Sequence, residues 1–490
     1  MPRAAAAALH GDDPKVVKGT PVVVGVEPLG PDIDTLPTPP EAPAHFRTYE
    51  QVKQDLHKLQ AKYPDLVQVK DIGDTREKQL GIADRDLWAL TLTNRKAKGD
   101  KPVVLNVGTL HARETVNRPL LMKWGTDLLS RYGKDAEATH LLDTREIDII
   151  PMANPDGHNM VERAFAGVTG GDEMHRKNTH GPGVDLNRNF DDGKWNENRE
   201  SANAQKQSYG GESAASEPET KALQSYIHKR QPKSVYDWHS FTGLNMYPVS
   251  HTPEKQAMQP IQQAAVEKLS QFNHYRATGT DYLYPAAGTL DSFAWNKEGI
   301  PAFTIETGQS FHQDKDQFRE TYAANAPALT YAAKAADDIY ARAQGPDTSK
   351  VTVDPKNGNV TALVRESIGN FEQLGGAEFV LDPSTPVGKG TPMQLDSWMP
   401  RSYAGGRLPD KLAKDARMVY VRGQDADGNW GPLTPQWLPG REPAAAAKPA
   451  RAAKKCSLAL SLASRRSSAR CRRNRSTSHL PSNQLGRGSW

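Results

Sequence analysis

Short apolar segments alternate with amphipathic helical segments along residues 45–345, and this alternation limits the possible folds more than any other feature. Strand-like segments lie at residues 66–71, 87–93, 103–107, 147–150, 234–238 and 302–305. Helical patterns lie between them, at residues 48–62, 117–132, 217–227, 253–271 and 321–343. Strands that alternate with helices are typical of an α/β fold, in which the helices cover a largely parallel sheet. We therefore expect residues 45–345 to form one α/β domain.

The regions on either side of this alternation have different compositions. Residues 1–44 are rich in Ala, Pro and Val without helical periodicity, and we expect an extended leader. From residue 346 to 440, short alternating segments are separated by Gly, Pro, Asp and Asn, which predicts a small all-β sandwich as an accessory domain. Residues 441–490 are rich in Ala, Ser and Arg, and we expect a disordered basic tail.

The net charge of +4 comes from this tail. Residues 441–490 hold 12 Lys or Arg and one acid, which leaves 50 basic and 57 acidic residues in the rest of the chain. The rest of the chain is therefore mildly acidic, and we expect no nucleic-acid partner. No run of 18 apolar residues is present, so no membrane span is expected. We expect an extracellular or periplasmic location and a monomer, although no signal peptide is evident.

Both cysteines, Cys456 and Cys471, lie in the tail. A metal in the α/β domain would therefore need His and carboxylate ligands, which suits catalytic rather than structural zinc.

Three predicted strands end in such side chains. His111 and Glu114 follow residues 103–107, His239 follows 234–238, and Glu306 follows 302–305. Strand ends that face helix starts are where open α/β sheets usually carry their chemistry. Each signal has a simpler explanation. A His-x-x-Glu arises by chance about once in a chain of this composition, and His239 beside Trp238 has the pattern of a core histidine.

Four other histidines are available as ligands but lack a strand-end position. They are His140, His158, His175 and His180. A catalytic zinc needs three protein ligands and an open position, together with a base near the water that it activates. His111, Glu114 and His239 fit the ligand roles, and Glu306 fits the base.

Five motifs occur in a fixed order: His-Ala-Arg-Glu at 111–114, Asn-Pro-Asp-Gly at 154–157, Asp-Leu-Asn-Arg-Asn-Phe at 185–190, His-Ser at 239–240 and Phe-Thr-Ile-Glu at 303–306. Together they resemble the zinc metallocarboxypeptidases of the carboxypeptidase A, B and T type, over roughly residues 45–345. The resemblance implies a mixed, mostly parallel sheet flanked by helices. It also implies removal of single residues from the C-termini of peptides or proteins.

The resemblance also implies catalytic roles for individual residues. His111, Glu114 and His239 would hold one Zn²⁺ per catalytic domain. Glu306 would take the proton from the attacking water, and Arg176 would stabilise the oxyanion. A fixed guanidinium suits a charge that develops only in the transition state.

Further residues would bind the substrate. Asn187 and Arg188 would hold its terminal carboxylate, with Arg113 assisting, because a guanidinium fork matches a carboxylate. Tyr284 would be the mobile tyrosine that covers the bound peptide. This carboxylate clamp would make the enzyme an exopeptidase.

Asp291 falls at the floor of the family's side-chain pocket, where carboxypeptidase B-like enzymes have an aspartate. Ser250 and Gly279 fall where the B-type pocket has small residues. The resemblance therefore favours C-terminal Arg or Lys, with possible tolerance of apolar residues. The alternative is that Asp291 only caps the helix that begins near Ser292.

Two other functions remain open at this point. One is a zinc amidase that acts on cell-wall peptides or acyl-amino acids. The other is a non-catalytic peptide-binding module on the same scaffold. Such a module should lack the base, whereas Glu306 is present.

Overall fold

The structure, a computed structural model, describes residues 43–443 except 44, 198–201, 284–285 and 367–372. The predicted leader and basic tail lie almost wholly outside the described residues, and Tyr284 lies outside them as well. No helix among the described residues is long and apolar enough to cross a membrane.

The first sheet has eight strands in the order β1-β2-β4-β3-β5-β8-β6-β7. Its strands are β1 (Val67–Asp74), β2 (Asp86–Leu92), β3 (Val103–Gly108), β4 (Glu146–Ile150), β5 (Ser234–His239), β6 (Leu244–Tyr247), β7 (Arg276–Gly279) and β8 (Ala302–Glu306). The central strands β4, β3, β5 and β8 are parallel neighbours. Antiparallel pairs join β1 to β2, β2 to β4 and β8 to β6. The predicted mixed, mostly parallel sheet is confirmed.

Helices connect and cover these strands. Within the described residues, the α-helices are α1 (Tyr49–Lys62), α2 (Arg76–Gln79), α3 (Asn117–Arg131), α4 (Ala136–Thr144), α5 (Pro155–Phe165), α6 (Pro218–Arg230), α7 (Pro253–Gln256), α8 (Gln259–Asn273), α9 (Leu290–Asn296), α10 (Lys315–Lys334) and α11 (Ile339–Gln344). The single Ala-rich helix predicted at 321–343 is therefore two helices, α10 and α11.

Buried apolar side chains hold the helices on the sheet. Every residue of β3 and of β5 is buried, as expected for strands that are covered on both faces. Leu120, Leu121 and Trp124 of α3 are almost fully buried in the same core. Truncating a buried Trp to Ala typically costs about 3–5 kcal/mol. This packing fixes where β3 ends and α3 begins.

The Asn-Pro-Asp-Gly motif, which by itself indicates a turn, starts helix α5. Asn154 is the N-cap, and its Oδ1 accepts a hydrogen bond from Gly157 N at 2.9 Å. Pro155 occupies the first helical turn, where its missing N–H costs nothing. The Asn154 amide also donates to Leu110 O at 3.2 Å and so ties the helix start to the segment after β3.

The predicted all-β part is confirmed as an antiparallel seven-stranded sheet in the order β15-β14-β11-β12-β13-β10-β9. Its strands are β9 (Asp347–Val353), β10 (Asn359–Arg365), β11 (Leu374–Val380), β12 (Thr391–Leu395), β13 (Arg401–Arg407), β14 (Met418–Asp425) and β15 (Thr434–Trp437). The outermost strands are linked through side chains, because Thr434 Oγ1 donates to Thr348 O at 2.9 Å and Gln436 Nε2 donates to Val351 O at 3.0 Å. The sheet therefore curls back on itself around an apolar core.

The two sheets belong to one compact unit. Ala136 of α4 packs against Met418, Tyr420 and Trp437, and Trp437 Nε1 donates to Lys134 O at 3.3 Å. The predicted domain boundary after residue 345 falls between α11 and β9, and it stays a prediction.

Candidate active site and metal centre

Three neighbouring parallel strands, β3, β5 and β8, end at the same edge of the first sheet, and the predicted catalytic side chains lie there. His239 and Glu306 are the last residues of β5 and β8, and they pair in register. His111 and Glu114 lie in the turn between β3 and α3. Thr109 begins this turn with φ of 56°, a region that β-branched residues rarely adopt.

Nine of the ten predicted site residues line one cavity at this edge: His111, Arg113, Glu114, Arg176, Asn187, Arg188, His239, Asp291 and Glu306. Ser250, which was expected in the side-chain pocket, does not line this cavity. Its Oγ accepts a hydrogen bond from Trp295 Nε1 at 2.8 Å. The tenth site residue, Tyr284, lies outside the described residues, although its neighbours Leu283 and Ala286 line the cavity.

The donor atoms of His111, Glu114 and His239 face one another. His111 Nδ1 lies 2.8 Å from Glu114 Oε1 and 3.0 Å from His239 Nδ1, and His239 Nδ1 lies 2.9 Å from Glu114 Oε2. Two ring nitrogens this close repel each other unless a proton or a cation lies between them. No other group of three such side chains in the described part of the chain has its donor atoms so close.

The outer nitrogens of both rings are held by carboxylates. His111 Nε2 lies 3.1 Å from Asp185 Oδ1, and His239 Nε2 lies 2.8 Å from Asp237 Oδ2. Histidines that bind metals almost always have such a partner, which fixes the ring and makes the inner nitrogen more basic. Two imidazoles and one carboxylate with this support fit a Zn²⁺ ion and leave a coordination position open.

The charges of Glu114, His111 and His239 stabilise one another. Burial disfavours the ionised form of Glu114, but His111 and His239 outweigh it and lower the pKa of the carboxyl. Burial also disfavours a charged His239, but Asp237 and Glu114 raise the pKa of that ring well above its usual value. Glu114 is therefore a carboxylate, the form that binds metal.

Glu306 differs from the other carboxylates of the site. Its Oε2 is buried and has no hydrogen-bond partner among the described residues. Burial, and then the negative charge of Glu114, raises the pKa of Glu306 to about 7. A carboxyl with a pKa near neutrality can both take up and release a proton, as a general base requires.

Arg176 lies on the other side of the cavity and is held by Asp185. Its Nε and Nη2 lie 3.0 and 2.9 Å from Asp185 Oδ2. Its carbonyl oxygen accepts a hydrogen bond from Ala112 N at 3.1 Å, which joins this loop to the turn that carries His111. Asp185 thus fixes a candidate metal ligand and a candidate oxyanion donor at the same time.

Sequence reasoning missed Asp185 and Asp237 as functional residues. Asp185 is the first residue of the motif at 185–190 that supplied Asn187 and Arg188. Asp237 lies two residues before His239 in β5, and side chains two apart lie on the same face of a strand. A search for carboxylates at that spacing would have found Asp237.

The three candidate carboxylate-binding residues have different surroundings. Arg188 and Arg113 are buried at the cavity, and the Arg113 guanidinium lies 4.4 Å from the centre of the Phe311 ring. The Asn187 amide is engaged within the protein, since its Nδ2 lies 3.0 Å from His239 Nε2 and its Oδ1 accepts from Leu290 N at 2.9 Å. Asn187 Nδ2 also donates to Asp237 Oδ2 at 3.3 Å and so supports the carboxylate behind His239, while its contact with a substrate stays a prediction.

Asp291 is buried in the cavity wall. Its Oδ2 accepts from Thr304 Oγ1 at 3.0 Å and its Oδ1 from Ser292 N at 2.8 Å, and burial raises its pKa. The N-cap of α9 is Thr289, whose side chain accepts from Ser292 N. Asp291 thus shares a first-turn N–H with the N-cap, and its role in a side-chain pocket stays a prediction.

The lower-ranked histidines lie apart from this group. The ring nitrogens of His158 face Arg47 O and Ala112 O, His180 pairs with Glu217, and the His140 ring packs on Tyr420. His175 Nε2 lies 3.4 Å from Asn178 O. These contacts explain the four side chains without a metal.

Comparisons with known proteins agree with this geometry. A family described as zinc carboxypeptidase matches residues 52–328, more than half of the chain. Carboxypeptidase B from dog is 28% identical over 277 residues, which is 53% of this chain and 62% of that protein. Carboxypeptidase A4 from mouse is 27% identical over 275 residues, with the same coverage of 53% and 62%. The chain thus matches less than two thirds of the length of these relatives.

A solved structure of thrombin activatable fibrinolysis inhibitor has the same fold, with a TM-score of 0.52 and 22% identity. That match covers 59% of this chain and 74% of the solved one. The predicted fold class and zinc cofactor are confirmed at the level of the family. On the family match and the converging side chains at 111, 114 and 239, the chain belongs to the zinc carboxypeptidases.

Proposed function

We propose that the protein is a zinc-dependent exopeptidase that removes single residues from peptide C-termini. The observation that carries this proposal is the convergence of two histidines, a carboxylate and a separate buried carboxyl on one cavity that arginines also line. The family match supports the same reaction class.

His111, Glu114 and His239 would hold the zinc ion, with Asp185 and Asp237 fixing the two rings. When bound, zinc polarises a carbonyl group and lowers the pKa of water towards 7. Glu306 takes a proton from the attacking water and delivers it to the leaving amine. Arg176 donates hydrogen bonds to the substrate carbonyl oxygen as negative charge develops there, and Asp185 holds its guanidinium ready for this.

Arg188 and Arg113 bind the terminal carboxylate of the peptide. Their burial strengthens an ionic contact because little water screens it. Tyr284 covers the substrate, and Asn187 assists by supporting Asp237, the carboxylate behind His239. Amidation of the peptide C-terminus should therefore abolish cleavage, whereas a zinc amidase without this clamp would tolerate it.

The side-chain pocket favours Arg or Lys, with some tolerance of apolar residues. Asp291 supplies the negative charge, and its burial makes an incoming cation favourable. Met246 and Leu283 line the same cavity and suit the aliphatic part of a Lys or Arg side chain. An extracellular or periplasmic location and a monomeric state remain predictions from the sequence.

The first test is hydrolysis of hippuryl-Arg, -Lys, -Phe and -Leu by the purified chain, with and without a chelator. We expect Glu306→Gln to lower kcat by about 10³-fold while the protein keeps its zinc, because Glu306 is the base and not a ligand. Glu267→Gln, at a half-buried position on α8 that does not line the cavity, is the control and should retain full activity. Unchanged turnover in Glu306→Gln would rule out this mechanism.

A second test addresses specificity. Asp291→Ala should lower kcat/KM for hippuryl-Arg relative to hippuryl-Leu by about 10- to 100-fold, because the substrate cation loses a desolvated partner. The ratio of the two rates is measured, so that a general loss of stability cancels. An unchanged ratio would refute the role of Asp291 but not the peptidase reaction.

A further inference from the structure

A second cavity, of about 450 Å³, lies on the face of β1, β2 and β4. This volume is within the range of small-molecule sites in proteins. Strand side chains form its floor, the loop at residues 94–101 forms one wall, and α6 forms the other. Its lining includes Gln68, Lys70, Thr91, Arg95, Lys101 and Arg230.

This cavity lies at the opposite end of the central strands from the catalytic cavity. Its residue Glu146 is the first residue of β4 and pairs with Val103, the first residue of β3. The candidate metal ligands follow the last residues of β3 and β5. The two cavities therefore do not share a wall, and the second one is not a subsite of the first.

The lining of the second cavity is strongly cationic, with four basic side chains and one carboxylate, Glu146. Arg230 is already neutralised, because it pairs with Glu146 and its Nε lies 2.7 Å from Asp148 Oδ2. In the part of the chain that the structure describes, Lys70, Arg95 and Lys101 have no carboxylate within ion-pair distance. The cavity thus holds three basic side chains that make no ion pair, although Asp143 and Glu146 are near enough to act on the pKa of Lys101.

Lys101 is the most informative of the three. Its Nζ donates to two neutral acceptors, Thr93 Oγ1 at 2.9 Å and Asn94 O at 2.6 Å, and burial lowers its pKa. An ammonium group has three donors, so one remains for a ligand. Removing a cation from water without an anion is costly, and an anion in the cavity would offset this cost.

The floor of the second cavity lies over a hydrogen-bonded carboxylate, Asp148. Asp148 is fixed by Tyr226 and Thr91, whose hydroxyl groups lie 2.9 and 2.6 Å from its carboxylate oxygens. These bonds and the ion pair with Arg230 hold the Asp148 carboxylate in place beneath the floor, and Arg230 offsets its charge. A ligand would therefore bind to an ordered surface, and little conformational entropy of the protein would be lost on binding.

We propose that this cavity binds a small polyanion that carries two or more phosphate or carboxylate groups. Lys70 on β1, Arg95 in the loop and Lys101 at the loop end reach it from separate positions, so several charges are needed to engage them all. The cavity volume suits a small molecule. A nucleic acid is disfavoured because the chain outside residues 441–490 holds more acidic than basic residues.

The test is isothermal titration of the full chain with inorganic pyrophosphate and, separately, with citrate at low salt. We expect saturable binding of one ligand per chain to at least one of them, and binding should weaken as salt rises. The stronger ligand shows whether phosphate or carboxylate is preferred. Lys101→Gln and Arg95→Gln should each raise Kd about tenfold, as expected for the loss of one charged contact.

Lys96→Gln is the matched control. Lys96 follows Arg95 in the same loop and is likewise exposed, but it pairs with Asp65 at 2.6 Å and does not line the cavity. Its Kd should equal that of the parent chain. Lys70→Gln, on the exposed side of β1, replaces Lys101→Gln if thermal unfolding shows that the latter does not fold.

Two outcomes would overturn the proposal. One is the absence of saturable binding to both anions at millimolar concentration. The other is equal weakening by Lys96→Gln and by the cavity variants, which would show nonspecific attraction. The proposed peptidase activity is independent of either result, because the cavity shares no residue with the catalytic one.

Discussion

Two pairs of histidines in this chain are equally buried but have opposite electrostatic surroundings. His111 and His239 face three carboxylates, those of Glu114, Asp185 and Asp237. The ring nitrogens of His158 face two backbone carbonyl groups, and its nearest carboxylate, Glu162, is 3.8 Å away. His140 lies near the cations Arg145 and Lys334. Burial alone therefore does not distinguish a candidate metal ligand from a core histidine.

The charges of the neighbouring groups make the distinction. Asp237 and Glu114 overcome the effect of burial and raise the pKa of His239. Burial lowers the pKa of His140 to about 3 and that of His158 to about 4. The first environment attracts a cation and the second excludes one. Each of the following predictions tests one part of this contrast.

The largest effect is expected from removing one ring of each pair. His239→Ala should lose nearly all bound zinc and with it the peptidase activity, because only two ligands would remain. His158→Ala should keep its zinc and lose about 2 kcal/mol of folding stability, through lost packing and unpaired backbone groups. Metal content by atomic absorption and unfolding in denaturant measure these outcomes. Full zinc content in His239→Ala would contradict the assignment.

A smaller effect is expected when the carboxylate behind the ring is changed. Asp237→Asn should lower zinc affinity by about 10- to 100-fold, because the ring of His239 loses its anionic partner. Competition with a chromophoric chelator measures this affinity. Asp410→Asn, at an exposed position between β13 and β14, is the control. Equal affinities in the two variants would show that Asp237 has no part in metal binding.

The smallest effect concerns the pH dependence of stability. The folded protein holds His140 neutral down to about pH 3, whereas the unfolded chain binds its proton below about pH 6.5. The unfolded state therefore binds more protons in this window, and stability falls as the pH drops through it. Between pH 7 and pH 5 this single group should lower the free energy of unfolding by about 2 kcal/mol.

His140→Phe should remove that part of the pH dependence and keep the ring contact with Tyr420. The exposed His228, replaced by Phe, is the control and should leave the dependence unchanged. Urea unfolding at pH 5 and at pH 7 gives, for each variant and for the parent chain, the change in the free energy of unfolding between the two pH values. The same dependence in His140→Phe as in the parent chain would refute this explanation.

Local patterns in the sequence predict much of the fold. Strand β3 and helix α3 each follow from a run of apolar residues with the right period. Helix α1 begins with a capping box in which Thr48 and Gln51 are bonded reciprocally, and this spacing of Thr and Gln is visible in the sequence. The short strands β6 and β7 were not predicted, because four residues give too little periodicity and their pairing depends on β8.

The candidate site was predictable where each residue belongs to an ordered motif. The side chains at 111, 114, 239 and 306 come together because parallel strands end at one edge. The supporting role of Asp185 was not predictable, since it depends on a loop that crosses from Phe165 to the start of α6. The engagement of Asn187 with His239 is likewise a tertiary contact without a local signal.

Asp185 contacts two side chains, His111 and Arg176, for which different roles are proposed. One carboxyl group supports His111 and Arg176 together, so a change in its orientation should disturb the proposed metal binding and the proposed oxyanion stabilisation at once. Substitutions at 111, 176 and 185 should therefore be strongly non-additive in a thermodynamic cycle.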